Sequence, residues 1–367
     1  MPDVRRVRKK QKAKSKKQKA KSKKQNSKQA KNMTITFVVN QVRKEVAGYT
    51  TTALAYEAHK RGHTVYYAGV GDLVYMANGK IGAHCRRVPD REFRSLSTFL
   101  EAVVAEEKKL KSTKKGDVLW LRNDPAADME NRPWAQDAGV LYGQLASQQG
   151  VLVLNDPTGL IKASNKMYLQ YFPESVRPLT VITRDIADVE AFYRDQRHRI
   201  ILKPLKGSGG KNVFLVDKKD NKNLKQMVEA ICRDGFAIAQ EYLPAAKKGD
   251  TRLFLMDGEP IIIGNKVAAI QRVQQAGEIR SNIHRGAKAK RASMNKEMQA
   301  IVDTAGPLLR DDGMFLVGLD IVGDKLMEIN VFSPGGLIHA SEFHGVDFLE
   351  EVITAVEKKI ATGAKGA

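Results

Sequence analysis

The run Phe315-Leu-Val-Gly-Leu-Asp-Ile-Val-Gly-Asp-Lys-Leu-Met-Glu-Ile-Asn-Val-Phe332 constrains the fold of this chain more than any other segment. Two β-rich stretches flank Gly323-Asp324, so a hairpin is expected. A connection with an odd number of residues, such as a three-residue loop with a bulge, sets Asp320 opposite Glu328 and Leu319 opposite Ile329. It also sets Val317 opposite Val331 and Ile321 opposite Met327. One face is then wholly apolar, with Val317, Leu319, Ile321, Met327, Ile329 and Val331. The other face gathers Asp320, Glu328 and Asn330. An even loop would mix the faces, so the hydrophobic pattern selects the register. Facing carboxylates repel. Cations relieve that repulsion, and hard oxygen ligands suit Mg²⁺ held jointly with substrate phosphates. The same two acids would also be tolerated on a solvated face.

A second segment, Ile200-Ile-Leu-Lys-Pro-Leu-Lys-Gly-Ser-Gly-Gly210, places Lys203 at the end of an apolar strand. An unpaired ammonium is costly there, and a nucleotide phosphate is a natural partner. Gly207, Ser208, Gly209 and Gly210 form a loop whose backbone N–H groups can wrap phosphates. No helix follows, so neither the Walker A nor the Rossmann fingerprint applies, and a plain hairpin turn is the competing reading. Ala239-Gln-Glu-Tyr-Leu-Pro244 is a strand running into a connector that can offer backbone groups to an adenine edge. Arg252, Lys266, Arg272 and Arg280, with Asn282 nearby, form a cationic set suited to carboxylates and phosphates. A solvated basic face explains that set as well.

The organisation around these motifs is mixed. Ile35–Val39, a helix over 49–61 and Thr64–Ala68 give a β-α-β alternation, which argues for a parallel sheet. Residues 91–111 read as a helix, Asp117–Leu121 as a strand, 136–149 as a helix and Val151–Leu154 as a strand. Arg122-Asn-Asp-Pro125 falls at the C-terminal end of its strand, where ligands of open α/β sheets sit. Antiparallel signals follow Asn155-Asp-Pro157: strands at 200–204, 213–216, 237–240, 252–256 and 260–263. Helices are expected over 295–310 and 346–360.

A chain of 367 residues, 42% of them hydrophobic, supports two or three subdomains. No apolar run reaches the roughly 20 residues needed to span a bilayer. No apolar leader is present at the N-terminus, so no secretory signal is expected. Cys85 and Cys232 are solitary, which argues against a disulfide framework and for a cytoplasmic setting. The net charge of +21 is concentrated: residues 1–32 carry 15 Lys or Arg and one acid, Asp3, leaving +7 for the remainder. That arm cannot bury enough apolar surface to offset its ordering entropy and reads as disordered. It suits non-specific contact with polyanions by counterion release, or serves as a solubilising tail.

These motifs, in this order, resemble bacterial glutathione synthetase, a family of the ATP-grasp superfamily. The similarity covers nearly all of residues 33–360. It rests on Leu121-Arg-Asn-Asp-Pro-Ala-Ala-Asp-Met129, Asn165-Lys166, Ile201-Leu-Lys-Pro-Leu205, Gln240-Glu-Tyr-Leu-Pro244, Gly249-Asp-Thr-Arg252, Gly277-Glu-Ile-Arg280 with Asn282, Val317-Gly-Leu-Asp-Ile321 and Glu328-Ile-Asn330. The resemblance implies an α/β chain of ATP-grasp fold. Residues 33–157 would form an N-terminal parallel-sheet α/β domain. Residues 158–362 would form the ATP-grasp part, with a central lid near 162–236 and an α+β catalytic part near 237–362.

The same resemblance assigns expected roles. Lys166, Lys203, the loop from Gly207 through Ser208 and Gly209 to Gly210, Gln240, Glu241, Tyr242 and Leu243 would bind ATP. Asp320, Glu328 and Asn330 would hold Mg²⁺, with Mn²⁺ as an alternative. Arg252, Arg280 and Asn282 would be catalytic. Arg122, Asp124, Arg272, Asn330, Ser333, Gly335 and Gly336 would contact small-molecule substrates. The implied reaction joins γ-glutamylcysteine to glycine through an acyl phosphate. A ligase for another acid–amine pair and a non-catalytic nucleotide-binding scaffold with a polyanion-binding arm are the alternatives. The family is often homo-oligomeric. The chain departs from the family pattern at Ser281, at Phe332 and in Ile283-His-Arg-Gly-Ala-Lys-Ala-Lys-Arg291. There Arg285, Lys288, Lys290 and Arg291 would admit a more acidic substrate.

Overall fold

The computed structural model describes residues 32–207, 210–219, 221–273 and 288–363. Residues 1–31, Ser208, Gly209, Arg280 and Asn282 lie outside the described residues, and with them nearly all of the Lys-rich arm and most of the segment that departs from the family pattern.

The first layer is a sheet whose centre is parallel. Strand β1 (Thr34–Val39) runs into helix α1 (Thr50–Lys60) and then β2 (Thr64–Gly69). Strands β3 (Leu73–Tyr75) and β4 (Ile81–Arg87) extend one edge. Helix α2 (Leu96–Ala105) starts where the Ser95 hydroxyl accepts the Thr98 N–H at 3.2 Å. The helix expected over 91–111 is therefore shorter. Its last part is strand β5 (Lys109–Ser112), which pairs antiparallel with β4, so tertiary pairing overrides the helix propensity of a Glu/Lys-rich stretch. Strand β6 (Val118–Leu121) lies beside β1, followed by the short helix α3 (Pro125–Asp128), helix α4 (Ala138–Gln148) and strand β7 (Leu152–Leu154). The order β3-β4-β2-β1-β6-β7 puts the β1 and β6 ends side by side at the C-terminal edge.

Helix α5 (Pro157–Lys162) leads to the second sheet. Its strands are β8 (Thr180–Thr183), β9 (Ile200–Pro204), β10 (Phe214–Val216) and β11 (Ala237–Glu241), all antiparallel in the order β10-β9-β11-β8. Helices α6 (Ile186–Asp195) and α7 (Leu224–Cys232) cover it. Val189, Tyr193, Ile200, Leu202, Val228 and Ile231 form a core belonging to this unit alone. A unit with its own small core can move as a body, as a lid must.

The third sheet holds β12 (Asp250–Met256), the short β13 (Glu259–Pro260), β16 (Ala269–Val273), β17 (Lys288–Arg291), β18 (Leu316–Val322) and β19 (Lys325–Asn330). Strands β14 (Ile262–Ile263) and β15 (Lys266–Val267) pair separately. Helices α8 (Lys296–Asp311), α9 (Leu337–His344) and α10 (Phe348–Gly363) complete the layer. The first and third sheets share a core: Trp120 and Phe315 meet at 5.7 Å between ring centroids. Asn155 bonds both Leu316 backbone groups and accepts no slack, with Nδ2 also donating to Val331 O at 2.6 Å.

The β18–β19 hairpin pairs Leu319 with Ile329 and Asp320 with Glu328, as its apolar pattern requires. Its connection is nevertheless only Gly323-Asp324, with Gly323 at φ +62°. A bulge restores the register by pairing Ile321 with Leu326 instead of Met327. Leu326 is consequently the fully buried residue on the apolar face, and Met327 turns toward a cleft.

Candidate active site

Strand ends of the first sheet supply one wall. Asn40 follows β1, and its side chain bonds Asp124 in both directions at 2.8 Å and Asp128 Oδ2 at 2.7 Å. Asp124 also caps α3 through Ala126 N–H. Arg122, 4% exposed, donates from Nε to Thr51 Oγ1 at 3.1 Å and from Nη2 to Pro334 O at 3.2 Å. Burial pulls its guanidinium down to about 10, against the attraction of Glu45.

The second sheet and the turn Lys166–Tyr171 that precedes it supply two ammonium groups. Lys203 on β9 stands opposite Ile238 on β11 and donates to Gln240 Oε1 at 3.0 Å. Burial drives it down to about 8; nearby Glu328 raises it and Lys166 lowers it further. Lys166 bonds Gly207 O at the start of the glycine loop and is also held below the usual lysine range by burial. Two ammonium groups near one another, with Glu328 acting on both and Asp124 on Lys166, form a site suited to a polyanion and its counter-cation.

The third sheet supplies a charged lattice. Arg252 on β12 pairs across to Asp320 on β18, with Nε and Nη2 each 2.7 Å from a carboxylate oxygen. Arg272 on β16 bonds Asp250 at 2.6 and 2.8 Å and reaches Asp320 Oδ2 at 2.8 Å. Burial raises the Asp320 pKa, but Arg252 and Arg272 outweigh it and hold the carboxyl at about 2. The repulsion expected between Asp320 and Glu328 is thus relieved on the Asp320 side by the protein's own guanidinium groups. Lys266, grouped with these cations on sequence, instead donates to His344 O and lines neither cavity described below.

A cavity of about 580 Å³ joins the three sheets. It takes in Arg122, Asp124, Lys166, Lys203, Gly207, Gly210, Arg252, Arg272, Asp320, Glu328, Asn330, Ser333, Gly335 and Gly336. A smaller adjoining cavity shares Lys166, Lys203, Glu328 and Asn330 and adds Gln240. Glu241, Tyr242 and Leu243 line neither: Glu241 accepts the Leu179 N–H at 2.8 Å, and Tyr242 lies 4.0 Å from the Arg199 guanidinium. Sequence reasoning overlooked Glu45, Thr50, Thr51 and His339, which also line the larger cavity. No motif marks them, since they come from a loop and the starts of two helices. Asp250 stood inside a quoted motif, but its pairing with Arg272 depends on strand order.

A divalent cation fits the oxygen donors. Asn330 spends Nδ2 on Asp320 Oδ2 at 3.1 Å and Gly318 O at 3.3 Å, leaving its Oδ1 as an acceptor. Among the described residues no group of three or more His, Cys, Asp or Glu forms a metal cage. Glu328, Asn330 and Asp320 would supply part of a coordination shell, the pattern suited to a cation shared with phosphates. Among the described residues no helix is long and apolar enough to cross a membrane.

Comparison with known proteins bears on the family and the fold. Residues 33–160 match the model for the prokaryotic glutathione synthetase N-terminal domain, and residues 165–345 match that for its ATP-grasp domain. Glutathione synthetase of Agrobacterium fabrum is 34% identical over 86% of this chain and 92% of its own length. That of Escherichia coli K12 is 32% identical over 84% of this chain and 92% of its own. Among solved structures, D-cycloserine synthetase DcsG superposes with a TM-score of 0.60 at 12% identity, covering 89% of this chain and 99% of its own. The ATP-grasp ligase PsnB, with minimal precursor, Mg and ADP, gives 0.55 at 14%, covering 90% and 98%. These last two likenesses show the shared fold. With both domain models matched in order and relatives aligned nearly end to end, the chain belongs to the prokaryotic glutathione synthetase family and is an ATP-dependent ligase of ATP-grasp fold.

Proposed function

We propose that the chain joins the cysteinyl carboxylate of γ-glutamylcysteine to the amine of glycine, with ATP converted to ADP and phosphate. The observation that carries this reading is the meeting of Lys166 and Lys203 with Glu328 and Asn330 across two sheets, in a cleft whose far wall is the substrate-side domain. Relatives that carry the name glutathione synthetase and align over 92% of their own length support the choice of acid and amine.

The chemistry follows from charge. A carboxylate is a poor electrophile and must first be phosphorylated. Lys166, Lys203 and the loop from Gly207 to Gly210 would hold the nucleotide phosphates; Gln240, which lines the smaller cavity, would serve the base, with Glu241, Tyr242 and Leu243 offering backbone groups only, since they line neither cavity. Glu328, Asn330 and Asp320 would hold Mg²⁺, or Mn²⁺ in its place, which when bound neutralises charge on the phosphates. Arg252 is already fixed by Asp320, so its remaining Nη1, bonded to Gly335 O at 3.2 Å, is positioned toward the substrate side of the cleft. With Arg280 and Asn282 it would stabilise the transferring phosphoryl group and the acyl phosphate. Arg122, Asp124, Ser333, Gly335 and Gly336 would orient the acid and amine, while Arg272 keeps Asp320 in place. Closure of the second sheet would keep water from the acyl phosphate.

Purified protein with ATP, Mg²⁺, γ-glutamylcysteine and glycine is expected to release ADP in step with glutathione, and to stop when the divalent cation is chelated. ADP release only with some other acid–amine pair would overturn the assignment. The reading places the enzyme in the cytoplasm, with the residue 1–32 arm as a non-specific polyanion contact.

A further inference from the structure

Glu45 follows a short turn, Val42–Lys44, and lines the larger cavity. Its Oε2 is sealed from solvent and has no hydrogen-bond partner among the described residues. An unsatisfied buried carboxylate oxygen is costly and calls for a donor. Among the described residues the cation that bears on it is Arg122, and no ion pair links the two. Arg122 is held in place by Thr51 and Pro334, and its Nη1 makes no hydrogen bond to a described residue. The cavity thus presents a fixed cation with a spare donor and, within its electrostatic reach, an acid with a spare acceptor oxygen. Thr51 is held by the bond to Arg122, and Thr50 Oγ1 accepts the Leu337 N–H at 3.3 Å, so both hydroxyls are fixed around the pair. Burial pushes the Glu45 carboxyl up to about 7 despite the opposing effect of Arg122.

A free α-amino-acid head carries a carboxylate and an ammonium on one carbon. It complements a guanidinium and a carboxylate that line one cavity. We infer that Glu45 and Arg122 together recognise the α-amino-acid head of the acid substrate, Glu45 taking the ammonium and Arg122 the carboxylate. Glu45 is thereby a specificity-determining residue, selecting acids with a free α-amino group. The inference rests on γ-glutamylcysteine being the acid, as proposed above.

The test compares wild type, Glu45→Gln and Glu45→Asp with two acids: γ-glutamylcysteine and glutarylcysteine, which lacks only the α-amino group. Glu45→Gln keeps the size of the side chain, and an unchanged KM for ATP checks that the cleft is intact. The expected result is a rise of at least about tenfold in KM for γ-glutamylcysteine in Glu45→Gln, an intermediate rise in Glu45→Asp, and the same KM for glutarylcysteine in wild type and Glu45→Gln. An equal rise for both acids, or a KM for γ-glutamylcysteine within about twofold of wild type, overturns the inference while leaving the proposed reaction standing. Absence of ADP release by the wild type with γ-glutamylcysteine and glycine overturns both.

Discussion

Arg252 and Asp320 face each other on neighbouring antiparallel strands and close two parallel bonds of 2.7 Å each. Asp320 also holds Arg272, which in turn holds Asp250. A carboxylate 3% exposed is therefore shared by two guanidinium groups on different strands. Such a hub fixes the third sheet and the direction of Arg252 together.

Asp320→Asn removes the charge but keeps the shape. Two guanidinium groups then lose their shared counter-charge in a buried setting, and a loss of about 3–5 kcal/mol in stability is expected. Urea denaturation at pH 7 measures it. The carboxyl is held at about 2, below its unfolded value, so its contribution is complete above about pH 4 and is lost as pH falls toward 2. Variant and wild type should accordingly converge in stability in strong acid. Equal midpoints at pH 7 would refute the hub.

Lys203, at about 8 in the free protein, titrates within reach of ordinary buffers. ATP favours its charged form. ATP affinity should be flat below about pH 7 and weaken above about 8 by up to about tenfold per unit. Lys203→Arg, whose guanidinium stays charged, should lose that slope. Calorimetric titration of ATP from pH 6.5 to 9.5 decides it, and an affinity independent of pH in the wild type would count against the assignment.

The same lysine is costly to the empty protein, because burial opposes its charge. Lys203→Met should leave the melting temperature unchanged or raise it slightly, while ATP binding weakens by at least about tenfold. A large drop in melting temperature would mean that Lys203 is a structural residue instead.

Asn155 joins the two large sheets through three buried bonds to backbone groups of Leu316 and Val331. Asn155→Ala strands those groups, and at about 1 kcal/mol per bond a loss of about 3 kcal/mol is expected. Chemical denaturation measures it; a change under about 1 kcal/mol would show that water or repacking satisfies them.

Deletion of residues 2–32 should leave kcat and KM unchanged for ATP, the acid and the amine. The same deletion should shift elution from a polyanion column to markedly lower salt, because fewer counterions are released. A large loss of turnover at moderate salt would overturn the separation of arm and catalysis.

Much of the fold was legible along the chain because it rests on local periodicity. Alternation in β18 and β19 is enough to put Asp320, Glu328 and Asn330 on one face. The β-α-β pattern of residues 34–69 is enough for a parallel pair. Lys203 stood out because an ammonium at the end of an apolar strand needs a partner. The hairpin turn was misjudged, because a bulge at Met327 shifts pairing by one residue without any mark in the hydrophobic pattern. Lys109–Ser112 has helix-forming neighbours and becomes a strand only because β4 offers an edge.

What the sequence determined by itself is therefore the set of faces: which residues share a side of a strand, and which charges must find partners. What only the tertiary structure decided is who those partners are. Asp320 is neutralised by Arg252 and Arg272 because β12 lies between β16 and β18, an order set by packing of the whole sheet. Glu45 and Arg122, 77 positions apart, share a cavity because the β1–α1 loop and the end of β6 meet at one sheet edge. Charge pairing acts across a few ångströms of space, and no local pattern along the chain encodes that separation.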